Sequence, residues 1–141
     1  MKRLDCLNKC AQKAGYTTEM IVDKKKLNIA INEEQIVSVT ISNEEENDII
    51  SIWQYVCQIN TTKADEGTID LINKINTEVS EVNFHIGYLP DDNDPIKDMV
   101  VRMDLIPISE DYLSRMLPHV IDILLEGSAY CKEHFQDKAR C

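Results

Sequence analysis

Between Leu27 and Leu105 the aliphatic side chains change their spacing twice, and this change limits what the chain can fold into. Leu27, Ile29 and Ile31 recur at every second residue, and so do Val37, Val39 and Ile41, the period of strands with one apolar face. From Thr68 to about Val79 the period turns helical, with Ile69, Ile72, Ile75 and Val79 on one side and Asp70, Lys74 and Glu78 on another. Period two then returns in Val82, Phe84, Ile86 and Tyr88. It is clearest in Met99, Val101, Met103 and Leu105, which alternate with Arg102 and Asp104. Strands, a helix and strands again predict an α+β chain.

The connections and ends fit that frame. Residues 2–14 read as an amphipathic helix, with Leu4, Leu7, Ala11 and Ala14 at three- and four-residue spacing, Cys10 beside them and Gly15 as its stop. Tyr16 to Lys26 reads as a polar lead-in to the first strand. Asn32-Glu33-Glu34 supplies a turn, and the charged run Ser42–Asp48 a hairpin loop. Ile49 to Ile59 is the most apolar strand, and residues 60–67 a polar loop containing Gly67. Pro90–Pro95 is a turn-rich insert. Pro107 closes the last strand, and Ser109 is an N-cap with Glu110 and Asp111 behind it, suited to a helix dipole. The final helix reaches about His134, with Leu113, Leu117, Val120, Ile121, Leu124 and Leu125 inward and Pro118 predicting a kink or a break. The expectation is a single α+β domain over residues 1–141. It is two-layered, an antiparallel five-stranded sheet with helices mainly on one face, in the order α-β-β-β-α-β-β-α.

That order, with Leu71-Ile72-Asn73-Lys74-Ile75-Asn76 before a strand and Met103-Asp104-Leu105-Ile106-Pro107 before a closing helix, resembles the YbjN-like bacterial proteins. Those are described as sensory transduction regulators, and their fold is similar to that of class I type III secretion chaperones. The likeness runs from about residue 5 to 134 and is best over 69–131. The N-terminal helix departs from it, being less regularly leucine-rich than those chaperones show. The resemblance implies a binding module without known catalytic residues.

Charge narrows the partners. The formal net charge of −10 repels duplex nucleic acid and anionic membranes. Residues 1–26 hold seven basic against three acidic side chains, +4, which leaves −14 for the rest. The basic segment reads as solvated charge, or as a match for an acidic patch on a second subunit. No apolar run approaches the length of a membrane helix, and Asp5, Asn8 and Lys9 interrupt any signal peptide, so a cytoplasmic protein is expected.

Chemistry has few footholds. The five cysteines, Cys6, Cys10, Cys57, Cys131 and Cys141, are an odd number and read as reduced thiols. Cys6 and Cys10 share a helix face, and with Cys131 and His134 they would suffice for zinc if the two helices met, but there is no Cys-x-x-Cys pair. Inert thiols are the expectation, with no metal and no cofactor. A nucleophilic cysteine would need a base, and His85, His119 and His134 are the only histidines. Asp91, Asp92 and Asp94 lack the glycine and distal glutamate of a calcium loop. Glu44-Glu45-Glu46 reads as a solvated hairpin, and Asn60-Thr61-Thr62 as a glycosylation match without meaning in the cytoplasm.

The strand from Ile49 carries more information. Ile50, Ile52 and Val56 point one way and Ile49, Trp53, Tyr55 and Cys57 the other, so both faces are largely apolar. With helices on one side only, Ile49, Trp53 and Tyr55 would form a patch worth covering, by a partner or by the chain's own N-terminal segment or a loop. The functional expectation is a non-enzymatic protein-binding module, chaperone-like or regulatory, working as a homodimer. The alternative is a cysteine-based metal-binding or thiol-dependent enzyme or switch.

Overall fold

The structure is a computed structural model, and it describes residues 2–41, 49–60, 66–78, 83–87, 95–106 and 109–135. The hairpin expected at 42–48, most of the 90–95 insert, the strand ends Val82 and Tyr88, and Pro107 lie outside those residues. In chain order come α1 (Lys2–Lys13), β1 (Thr17–Ile21), β2 (Lys26–Ala30), β3 (Ile36–Ile41) and β4 (Ile50–Asn60). They are followed by α2 (Glu66–Glu78), β5 (Asn83–Gly87), β6 (Ile96–Leu105) and α3 (Glu110–Phe135). The α+β layout is the expected one.

The sheet runs β1-β2-β3-β4-β6-β5. All five expected strands are in it, and a sixth, β1, is added at one edge. This segment was expected to be a polar lead-in, because its side chains show no apolar alternation and none is buried. An edge strand needs one neighbour's backbone, and β1 finds it from Thr17↔Ala30 to Ile21↔Lys26. A 3-10 turn, Val22–Lys24, joins β1 to β2, with Lys25 left-handed (φ 49°) and its N–H bonded to the Val22 carbonyl at 3.1 Å.

The chain divides into two compact units. The first holds Met1–Trp53 and Met103–Asp122. In it Leu4, Leu7 and Ala11 of α1 are buried, and α1 packs against β1 and β2. Leu27, Ile29, Val37, Val39, Ile50 and Ile52 form the apolar sheet face beneath, all fully buried. Leu113, Leu117, Val120 and Ile121 of α3 join this core. Each such side chain contributes about 1.5–3 kcal/mol by leaving water. Three local signals read from the sequence hold here. Gly15 (φ +93°) ends α1, with Tyr16 N–H donating to the Ala11 carbonyl and Gly15 N–H to Gln12, a Schellman closure. The Asn32 side chain accepts from the N–H groups of Glu34 and Gln35, both at 2.9 Å. Ser109 Oγ accepts from Tyr112 N–H at 3.1 Å, capping α3.

The second unit holds Gln54–Arg102 and Ile123–Cys141. Val56, Ile59, Ile75, Met99, Val101, Leu124 and Cys131 are buried in it, and α2 packs against β5. Gly67, expected in a loop, falls inside α2, which begins at Glu66. The α3 helix is continuous through Pro118 and is not split there. Pro118 lacks the N–H that would bond the Ser114 carbonyl, but the apolar stripe on both sides of it stays buried. Among the described residues no helix is long and apolar enough to cross a membrane.

Candidate partner-binding face

The antiparallel registers place one row of side chains on the sheet face opposite the core: Ile21, Lys26, Thr40 and Ser51. A second row holds Glu19, Asn28, Ser38 and Trp53. Ser51 Oγ donates to Asp104 Oδ1 at 2.7 Å, which extends the first row onto β6. That bond joins the beginning of β4 to the end of β6, so the two strands run in opposite directions. Ile49, just before β4, and Ile106, just after β6, are 48% and 69% exposed.

Trp53 is half-buried. The Lys26 ammonium lies 4.8 Å from the centroid of its ring, a cation–π contact one strand removed in sequence order. Ser38, directly opposite Trp53, donates to Asn28 Oδ1 at 2.9 Å and is only 5% exposed. The face is thus more polar than the strand-by-strand reading suggested, with Ile21 and the indole as the apolar members of its two rows. Tyr55, in the second unit, is 46% exposed. Sequence reasoning missed Lys26 and the Ser51–Asp104 bond, because each depends on a pairing between distant segments.

The cysteines separate into two neighbourhoods. In the first unit the Cys6 thiol is pushed up to about 11, by burial first and then by Cys10; Glu110 adds to the rise and Lys9 opposes it. Cys10 Sγ lies 3.0 Å from Ser114 Oγ. In the second unit burial, and then the neighbouring Cys57, push the Cys131 thiol up to about 12. Such thiols stay protonated at neutral pH, the reverse of what a nucleophile needs. Tyr16 is likewise raised, by burial and by Asp122. Among the described residues no group of three His, Cys, Asp or Glu side chains converges on a metal position, and the His134 side chain lies outside them. His119 is exposed.

No protein-family model matches the chain, and no curated protein matches it. Solved structures do. The chain shares the fold of YbjN. That structure, of a proposed transcription regulator from E. coli, superposes with a TM-score of 0.59 at 14% identity, over 93% of this chain and 92% of that one. A chain of the ExsC–ExsE complex superposes with a TM-score of 0.58 at 12% identity, over 94% and 92%. The fold that the YbjN-like resemblance implied is thereby borne out. At these identities the likeness is one of fold.

Proposed function

We propose that the chain is a non-enzymatic protein-binding module, chaperone-like or regulatory, and that it works in the cytoplasm as a homodimer with residues 1–141 as one domain. Ile49 and Trp53 anchor the docking surface, and Tyr55, next but one along the same strand, belongs to it. The observation that carries the reading is the sheet face opposite the core, which presents the half-buried indole of Trp53, with the exposed Ile49 four residues before it in the chain. An exposed aliphatic residue and an aromatic on one strand, with Lys26, Glu19 and Asp104 around them, have the composition of a partner-binding patch with a polar border. One of the solved structures of shared fold is a complex of two proteins, which agrees with a binding role.

Light scattering after size exclusion tests the homodimer, with Ile49→Glu as the comparison. A dimer that becomes a folded monomer in the variant supports the reading. A wild-type monomer at every concentration sinks the homodimer. Trp53 is the only tryptophan, so its emission tests the face directly. A red shift on dilution is expected of an indole released from an interface, whereas a blue-shifted maximum at all dilutions means that the chain itself covers it.

A further inference from the structure

The docking reading leaves unused a cluster on the helical side of the first unit. Cys6 and Cys10 are four residues apart on α1, so their side chains stand one above the other on the same helix face. After burial, Cys10 is the neighbour that most raises the Cys6 thiol. Cys10 Sγ also contacts Ser114 Oγ at 3.0 Å, across to α3. Glu110, one turn before Ser114, and Lys9, beside Cys10, are the charged groups that act on Cys6. Cys10 is 6% exposed and Cys6 half-buried, so the pair opens to solvent on the Cys6 side only.

We propose that Cys6 and Cys10 together form a two-thiol site for a soft d10 cation that takes two sulfur ligands, with monovalent copper as the type ion. The pair supplies two soft donors one turn apart on the same helix face. The atom behind them is a hydroxyl, a hard donor that adds little to a soft ion. Tetrahedral zinc needs at least three protein ligands, and no such group exists among the described residues. A two-coordinate thiophilic ion needs only what is present. Binding exchanges two S–H bonds for two S–Cu bonds: the ion enters with charge +1, two protons leave, and a bis-thiolate complex of charge −1 remains. No electrons move, so no oxidant or reductant is required. Lys9 offsets the new negative charge and the Glu110 carboxylate opposes it. The inference stands independently of the docking surface.

The reduced full chain, titrated without oxygen with monovalent copper against a competing chromogenic chelator, tests it. The wild type is expected to take one equivalent from the chelator and to gain near-ultraviolet thiolate-to-copper absorption. Cys6→Ser loses that equivalent, and Cys57→Ser keeps it. Glu110→Gln, at an exposed position, tightens binding, and this arm decides the matter if the Cys6 variant does not fold. The proposal is overturned if the wild type fails to compete, if Cys6→Ser retains the ion, if Cys57→Ser loses it, or if Glu110→Gln leaves the affinity unchanged.

Discussion

The Lys26 ammonium stands over the indole of Trp53 at 4.8 Å from the ring centroid, reaching across β3 from β2 to β4. The contact ties the basic end of the chain to its one tryptophan. It also explains how an aromatic ring persists on a face that the main core does not cover: the ring quadrupole is matched by a cation.

Replacing that lysine removes the cation while keeping much of the stem. Lys26→Met is expected to destabilise the fold by about 0.5–1 kcal/mol, the range of an exposed cation–π pair. Urea unfolding followed by Trp53 emission measures the change. An unaltered midpoint would mean that the contact contributes nothing to stability.

Gly15 ends α1 at φ +93°, and a methyl group placed on it would meet nothing within 4 Å. Gly15→Ala therefore tests backbone conformation without steric interference. A loss of about 1 kcal/mol is expected, with Gly15→Asn costing less, since asparagine tolerates the left-handed region. Thermal melts of the two variants rank them.

The cap on α3 is equally separable. Ser109→Ala removes the oxygen that accepts from Tyr112 N–H, at an expected cost of about 1 kcal/mol, while Ser109→Asp keeps an acceptor and stays close to wild type. Equal denaturation midpoints for all three proteins would contradict the cap.

Alkaline pH should weaken the fold through the thiols. Cys6 and Cys131 titrate near 11 and 12 in the folded chain against 9.0 for an unperturbed thiol. Below pH 9 both states hold these protons, and stability does not depend on them. Between 9 and the folded values the unfolded chain has lost protons that the folded chain keeps, so stability falls as pH rises. Urea midpoints taken across this window should decline, and Cys131→Val should flatten the decline. A variant that tracks the wild type would show that Cys131 is not a source of the slope.

The local elements were legible in the residues alone. The Gly15 stop, the Asn32 turn and the Ser109 cap each arise from one side chain and the backbone within a few residues, so local sequence suffices to specify them. The period-two and helical segments were readable for the same reason, because burial on one face imposes its repeat on the chain. The edge strand β1 was not readable, since backbone bonds to β2 form it and its side chains need no repeat.

Pairing between distant segments decided the rest. Which residue sits opposite Trp53, that a lysine covers its ring, that Ser51 meets Asp104, and that Cys10 meets Ser114 all depend on strand register and helix placement. Sequence alone determined which side chains seek burial, because hydrophobicity and spacing are local properties. Only the tertiary structure determined which of the remaining residues meet in solvent, because contacts between segments distant in sequence leave no periodic trace in either one.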